Sequence, residues 1–105
     1  MTCHVYLNNS KSSEEFPYLI ELQHAHMALL PTVLVAPIST VRSDAPPAIP
    51  KLCPTLYING IPHCIQIPMM ATIRRSQLGT PLDTIDIELN RFDIQASVDL
   101  LITGF

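Results

Sequence analysis

Residues 55–67 read Thr55-Leu56-Tyr57-Ile58-Asn59-Gly60-Ile61-Pro62-His63-Cys64-Ile65-Gln66-Ile67, and this stretch decides the fold. Asn59-Gly60 separates two apolar runs, and both residues take positive φ angles more readily than most others. A two-residue Asn-Gly loop favours the type I′ turn, whose twist matches that of two antiparallel strands. Pro62 suits the start of the second strand, although it removes one ladder hydrogen bond. The stretch therefore predicts a tight β-hairpin.

Further strand signals lie on the N-terminal side of this hairpin. They are Cys3 to Leu7, the nearly alternating segment Phe16 to Gln23, and the β-branched run Thr32-Val33-Leu34-Val35-Ala36. Pro37 is predicted to close the last of these strands. Asn8 to Glu15 is polar and has no apolar residue to pin it, which predicts a turn or a mobile loop.

The rest of the chain predicts an irregular crossing and a final helix. The stretch from Val41 to Lys51 contains three prolines, so it is not expected to be helical. Residues that fall near one helical stripe are Ile87, Ile94, Val98, Leu101 and Phe105, with Leu89, Phe92 and Ala96 beside it. Gly104 lies where a helix commonly ends in a left-handed residue. The sequence predicts a single domain, residues 1–105, that is mainly β: a small closed or half-closed barrel capped by a C-terminal helix.

The composition is unusually apolar for a chain of 105 residues, since 48% of the residues are hydrophobic and 14% are charged. No Lys, Arg, Asp or Glu occurs in residues 22–41 or in residues 52–73. A domain of this size buries only about 65% of its unfolded surface, so apolar surface is left over once the core is full. A second copy of the chain is the usual cover. We therefore expect an obligate homodimer.

A membrane span is the other interpretation of such uncharged runs. Polar residues and prolines interrupt both of them: Gln23, His24, His26, Pro31 and Pro37 in the first, and Pro54, Asn59, Pro62, His63, Gln66 and Pro68 in the second. Strands and turns are favoured by these interruptions. The chain also begins directly with a strand signal, without a basic region followed by an apolar stretch. We expect a cytoplasmic protein without a membrane segment.

The three cysteines, Cys3, Cys53 and Cys64, are widely spaced and form no CxxC motif. This odd number fits reduced, buried thiols rather than a disulfide framework. His4 and His63 adjoin two of the cysteines, but neighbours on a strand point to opposite faces. Each pair therefore offers at most one ligand to a common centre, and neither a metal site nor a cofactor is predicted.

Enzymatic signals are few. The sequence has three glycines and no Gly-rich phosphate loop, GxSxG motif or HExxH motif. His24 and His26 fall on one face of a strand, a spacing that can bind metal or sense pH. An exposed strand edge or an interface explains the pair more simply. No catalytic residue is predicted, and we expect a protein that is not an enzyme.

The charge distribution argues against direct contact with nucleic acid. Residues from Asp83 onward carry five acidic side chains and one basic side chain, and the rest of the chain has a net charge of +1. Phosphate contact needs a concentrated basic patch, and Arg74-Arg75 is the only compact basic pair. A solvated turn explains that pair as well. The C-terminal helix is expected to bind a basic or neutral protein face.

Four motifs, taken in order, resemble those of the CcdB family of toxins from toxin–antitoxin systems. They are the strand Val5-Tyr6, the run Val33-Leu34-Val35-Ala36-Pro37, the segment Leu52-Cys53-Pro54-Thr55-Leu56-Tyr57-Ile58, which matches Leu-x-Pro-x-x-x-Ile, and a C-terminal helix that ends in x-Gly-apolar. The similarity covers nearly the whole chain without large gaps. Each motif alone is weak evidence for the family. The resemblance rests on the order and spacing of the four motifs and on the position at which the chain ends after the helix.

The resemblance implies an SH3-like barrel with a small accessory sheet and a C-terminal helix, packed as a homodimer. It also implies a function, because such dimers lodge between the two breakage-reunion domains of the DNA gyrase A subunits. There they trap gyrase on cleaved DNA, which blocks replication and transcription. Thr103, Gly104 and Phe105 would form a hook that contacts gyrase, with Asp99 one turn earlier. A cognate antitoxin would neutralise the toxin through a disordered C-terminal tail.

One position departs from the family pattern. The best-known members have Trp before the final Gly, where the ring can stack on a guanidinium of the target, and Thr103 cannot stack. Either Phe105 supplies more of the contact, or this member has lost potency.

Two alternatives to gyrase poisoning also stay open. One is an inactive dimeric CcdB-like protein, and the other is an mRNA-cleaving toxin on the same barrel, with Arg74, Arg75 and His63 as candidate residues.

Overall fold

A computed structural model describes residues 3–23, 29–41 and 49–104 of the chain. This part of the protein is mainly β, with seven strands and one α-helix. The strands are β1 (Val5–Leu7), β2 (Tyr18–Glu21), β3 (Thr32–Thr40), β4 (Thr55–Ile58), β5 (Ile61–Ile65), β6 (Ala71–Arg74) and β7 (Ile87–Leu89), and the helix is α1 (Arg91–Thr103). Short 3-10 turns lie at Pro50–Leu52, Ile67–Met69 and Arg75–Gln77.

The strands form one antiparallel sheet, in which one edge of the longest strand, β3, pairs with two different strands. The order is β1-β2-β3-β5-β4-β7, with β6 also paired to β3. Along the same edge of β3, residues 32–35 pair with β6 and residues 38–40 pair with β5. The sheet curls into a half-barrel around the core, and α1 packs against the 3-10 turns at Pro50–Leu52 and Ile67–Met69. The predicted mainly β fold with a C-terminal helix is confirmed.

The Asn-Gly turn joins β4 to β5 as predicted. Asn59 and Gly60 have positive φ angles of 51° and 77°, and Ile58 pairs with Ile61 across the two-residue loop. Asn59 also holds the segment that leads into β7. Its Oδ1 accepts the N–H of Asp86 at 3.0 Å, and its own N–H donates to the Asp86 carbonyl at 2.7 Å. The hairpin therefore fixes where the next strand begins.

Replacing Gly60 with Ala is expected to lower the free energy of unfolding by about 1 kcal/mol, because an L side chain is disfavoured in left-handed backbone. Nothing lies within 4 Å of the Cβ that Ala would add, so this loss is conformational rather than steric. Gly79→Ala is the matched control, since its Cβ would meet only Asn9 Nδ2, at 3.9 Å. Urea unfolding measures both variants, and equal free energies of unfolding would contradict the role assigned to the turn.

The prediction that Pro37 closes its strand is wrong, because β3 continues to Thr40. Proline weakens a strand when the ladder needs its missing N–H. Pro37 lies opposite Leu19 of β2, and its carbonyl accepts the N–H of Gln66 on the other edge of β3 at 2.9 Å. The N–H and C=O of a strand residue point to the same edge. The missing donor therefore falls between the residues that pair with β6 and those that pair with β5, and the bond from Gln66 still joins the chain to β3 at this point.

The placement of Ile87 on the helical stripe is also wrong. Ile87–Leu89 forms β7, which pairs with β4, and the helix begins at Arg91. The seven-residue spacing from Ile87 to Ile94 imitates two helical turns. The open edge of β4 supplies backbone hydrogen bonds to residues 87–89, and this long-range pairing overrides the local pattern.

The polar loop from Asn8 to Glu15 has an anchor that the sequence interpretation did not recognise. Asn8 is buried, and its Nδ2 donates to the Phe16 carbonyl at 2.7 Å and to Ser12 Oγ at 3.0 Å. Its Oδ1 accepts the N–H of Ser10 at 3.0 Å. Asn side chains substitute for backbone turns in this way. The loop is thus organised by a polar side chain rather than an apolar one.

The cysteines behave as the sequence predicts, with one difference. Cys53 and Cys64 are buried, whereas Cys3 is half-buried at the margin of the core. All three are free thiols, and burial raises the pKa of each. Within residues 3–23, 29–41 and 49–104, no three His, Cys, Asp or Glu side chains form a group that could hold a metal ion.

Other expectations fall partly or wholly beyond the described ranges. His24, His26 and most of the stretch from Val41 to Lys51 lie outside the described residues, as does Phe105. Among the helical residues that the structure describes, no helix has the length and apolar character needed to cross a membrane.

Candidate functional site

The residues that flank helix α1, Asn90 and Gly104, determine where it begins and ends. Asn90 caps the start, because its Oδ1 accepts the N–H of Phe92 at 2.9 Å and that of Asp93 at 3.3 Å. These bonds satisfy two free donors of the first turn. Gly104 ends the helix in left-handed backbone, with a φ of 82°, and donates its N–H to the Leu100 carbonyl at 3.0 Å. The predicted glycine stop is therefore confirmed.

One face of α1 is fixed to the rest of the domain. Ile94 is 1% exposed and belongs to the hydrophobic core, and Val98 packs against that core. Burying a side chain of this size stabilises the fold by about 1.5–3 kcal/mol. Ser97 is also buried, and its hydroxyl donates to the Lys51 carbonyl at 2.5 Å. These contacts hold the inner face of the helix against the rest of the domain.

The opposite face of α1 carries two of the residues predicted to bind a partner, Asp99 and Thr103. Successive residues of an α-helix are turned by about 100°. Phe92, Asp99 and Thr103 consequently fall on one exposed stripe, on the side away from Ile94 and Ser97. We call these three residues the outer stripe. The structure thus brings Asp99 and Thr103 together, as the sequence predicted, and adds Phe92 to them.

The polar groups at the end of the helix bond within the helix itself. Thr103 Oγ1 donates to the Asp99 carbonyl at 2.6 Å, and Asp99 Oδ1 accepts from Gln95 Nε2 at 3.1 Å. Asp99, Thr103 and Gly104 are all exposed. The end of the helix is therefore a formed surface that carries a carboxylate, a methyl-bearing hydroxyl and a glycine.

Sequence reasoning placed Phe92 beside the buried stripe and so missed it as a surface residue. Its side chain is 85% exposed, and it borders an open groove of about 330 Å³ with Arg91, Gln95, Ala96 and Asp99. The signal was present in Asn90, a favourable cap residue that fixes the start of the helix. A helical wheel drawn from Arg91 turns Phe92 away from the face that holds Ile94.

The structure does not bring together the residues proposed for RNA cleavage. His63 pairs with Thr40 on β3, whereas Arg74 pairs with Thr32 of the same strand. Eight residues of strand span roughly 26 Å, which is beyond the reach of these side chains. His63 is buried, with its Nδ1 2.8 Å from the Ile61 carbonyl. Within one chain, these residues cannot act on the same phosphate.

Arg75 is used for a structural contact instead. Its Nη2 lies 3.5 Å from Oε2 of Glu21, which is 3% exposed, and the Tyr6 hydroxyl donates to Oε1 of the same carboxylate at 3.0 Å. Burial, together with the hydrogen bond to Glu21, raises the pKa of Tyr6 to about 12. The three side chains join β1 and β2 to the 3-10 turn that follows β6. Their wide separation in sequence gave no signal of this contact.

The fold and the site together define a small half-barrel domain that presents the outer face and end of a C-terminal helix. A family model described as CcdB protein matches residues 3–104, and the chain belongs to the CcdB family. Membership of this family supports a role as the toxin of a toxin–antitoxin system. No curated protein matches the chain.

Proposed function

We propose that this protein is a cytoplasmic toxin that binds the A subunit of DNA gyrase and traps gyrase on cleaved DNA. The observation that carries the proposal is the exposure of Asp99, Thr103 and Gly104 at the end of a helix whose inner face is fixed in the core. These positions correspond to the hook and its neighbour in the CcdB resemblance, and membership of the family supports the same role.

The physical character of the helix end suits a protein target. The exposed residues of the hook are not needed for packing, so they can enter a pocket of the partner without unfolding the half-barrel. The segment from Asp83 onward carries five acidic residues and one basic residue. Such a surface is repelled by phosphates and attracted by a basic or neutral protein face. Gyrase A, rather than its DNA, is therefore the proposed direct contact.

Phe92 offers an aromatic contact that Thr103 lacks. The two residues are separated by 11 positions, which places them roughly 16 Å apart along the helix axis. Phe92 therefore cannot fill the pocket that a Trp before Gly104 would fill. It lengthens the proposed contact along the helix, while Phe105 is the aromatic residue nearest to Thr103 in the sequence.

The protein is expected to be a homodimer at micromolar concentration. Large apolar side chains remain exposed in the single chain: Leu7, Leu29, Leu30, Val41, Ile49, Tyr57, Ile61, Met69, Phe92, Leu101 and Ile102. A soluble monomer seldom leaves so much apolar surface open, and a second copy with both hooks on one side would cover part of it. Multi-angle light scattering gives the mass directly, and a monomer at that concentration would refute the dimer.

Neutralisation by the disordered tail of a cognate antitoxin is part of the proposal. The loop from Asn8 to Glu15 borders an open groove of about 550 Å³, whose apolar lining includes Phe16, Leu19 and Val35. An apolar groove edged by a hydrogen-bonded loop can receive a tail that folds as it binds. We expect hydrogen exchange in residues 8–15 to slow in the complex. Unchanged fast exchange in a tight complex would remove this loop from the interface.

Two experiments, one on binding and one on RNA cleavage, test the proposed function against its alternatives. Calorimetry with the breakage-reunion domain of gyrase A is expected to show saturable binding, and incubation with messenger RNA is expected to leave the RNA intact. RNA cleavage without gyrase binding would replace the proposal with a ribonuclease. If the protein neither binds gyrase nor cleaves RNA, the remaining interpretation is an inactive dimeric relative of the family.

A further inference from the structure

The helix that carries the proposed gyrase contact has a buried hydroxyl group, on Ser97, that is hydrogen-bonded to the half-barrel. We infer that Ser97 is a positioning residue: its hydrogen bond to the Lys51 carbonyl sets the direction of α1 and thereby the placement of the outer stripe. This inference rests on the proposed function, since the outer stripe is the surface offered to gyrase. Ser97 itself faces inward and is 2% exposed.

The hydrogen bond joins two separate elements. Ser97 is 2% exposed, and its Oγ lies 2.5 Å from the Lys51 carbonyl and 2.9 Å from the carbonyl of Asp93. A serine side chain inside a helix commonly donates to the backbone carbonyl of the residue four positions earlier. A hydroxyl has one proton to donate, and the shorter contact here is the one to Lys51. The buried proton therefore links α1 to the 3-10 turn.

The acceptor lies on a constrained part of the backbone. Lys51 is in the 3-10 turn Pro50–Leu52, and both Pro50 and Pro54 have φ fixed by their rings. Leu52 is buried, and the N–H of Cys53 donates to the Pro50 carbonyl at 3.0 Å. A carbonyl held in this way can act as a fixed reference for the helix.

On the side of α1 that faces the 3-10 turn Pro50–Leu52, side-chain packing alone leaves the helix room to move. An open groove of about 490 Å³ lies between α1 and the turn, lined by Pro50, Lys51, Pro54, Asp93, Ala96, Ser97 and Leu100. Ile94 and Val98 pack the helix against the core, but apolar contacts are not directional. The bond from Ser97 is consequently the directional constraint on how the helix rolls and tilts beside the groove.

A small tilt at Ser97 becomes a large displacement at the hook. Thr103 lies six residues further on, about 9 Å along the helix axis. A tilt of about 10° moves Thr103 by roughly 1.5 Å, whereas binding residues must be held to within about 0.5 Å. Loss of the hydroxyl should therefore weaken binding to gyrase more than it weakens the fold.

Three variants separate positioning from stability. Ser97→Ala removes the hydroxyl, and Ser97→Thr keeps it. Val33→Ala is the stability control, because Val33 is fully buried but lies outside the core cluster that contains Ile94. Ser97→Cys, a weaker donor, serves in place of Ser97→Ala if the alanine variant does not fold. Each variant is measured for thermal midpoint, affinity for the gyrase A breakage-reunion domain, and helix direction from residual dipolar couplings.

Ser97→Ala is expected to bind gyrase A about tenfold more weakly or worse, with its helix tilted by about 10° or more relative to the sheet. Ser97→Thr should restore both quantities, and Val33→Ala should keep both despite a comparable fall in thermal midpoint. An unchanged helix direction in Ser97→Ala, or an equal loss of affinity in Val33→Ala, would overturn the inference. Helix direction is read without gyrase, so a wild-type protein that does not bind gyrase overturns only the proposed function.

Discussion

Deleting residues 103–105 is expected to abolish gyrase binding and growth arrest while the half-barrel stays folded. Thr103 and Gly104 are exposed, and the hydrogen bonds they donate run only to Asp99 and Leu100 of their own helix. Losing these bonds costs about 0.5–1.5 kcal/mol each at most, since the freed carbonyls are accessible to water. The core residues that hold the helix, Ile94 above all, remain in place.

Growth arrest and calorimetric binding to gyrase A are the readouts, and the thermal midpoint checks that the truncated protein is folded. Thr80→Ala is a suitable control, because it alters an exposed threonine outside the helix and should retain full activity. A truncated protein that still binds gyrase A and arrests growth at full potency would show that the hook assignment is wrong.

Replacing Ile94 with Ala is expected to lower the free energy of unfolding by about 2–5 kcal/mol, through lost burial and the cavity that remains. Ile94 is 1% exposed and is the residue that secures α1 in the core. A domain of this size has a total stability of about 5–15 kcal/mol, so the variant should be largely unfolded at elevated temperature.

Ile102→Ala is the matched control for this prediction, because it makes the same chemical change in the same helix at a side chain that is 69% exposed. Its effect on stability should stay within about 0.5 kcal/mol. Urea unfolding of both variants gives the comparison. Similar losses for the two would mean that Ile94 does not anchor the helix.

Local chemistry made some features of the fold predictable from sequence. Asn59-Gly60 and Gly104 require backbone conformations that few other residues adopt, so their roles follow from residue type alone. The apolar pattern likewise placed Ile94 and Val98 on the side of the helix that packs against the core. In these cases, the residue and its immediate neighbours carry the whole signal.

Long-range pairing explains what the sequence could not show. Ile87 has helical spacing to Ile94, and only the open edge of β4 makes it a strand residue. Pro37 is tolerated because β3 exchanges one partner strand for another at that point. The contact between Glu21 and Arg75 joins residues 54 positions apart. A short stretch of sequence around each of these residues does not contain the information needed to predict these contacts.

The candidate site was predictable in part. The resemblance assigned Asp99 and Thr103, and the structure confirms that they are exposed neighbours on one face of α1. Phe92 was missed because an apolar residue in a helix was assumed to face the core. Ser97 was missed because a serine on the buried face stands out only when its acceptor, the Lys51 carbonyl, is known.

The measurement that tests the central claim most directly is a plasmid cleavage assay with purified gyrase, ATP and this protein. If the protein traps gyrase on cleaved DNA, denaturing the mixture will release linear plasmid in an amount that rises with toxin concentration. The variant that lacks residues 103–105 should release none. Plasmid that stays fully supercoiled, or is cleaved equally with and without the protein, would contradict the account.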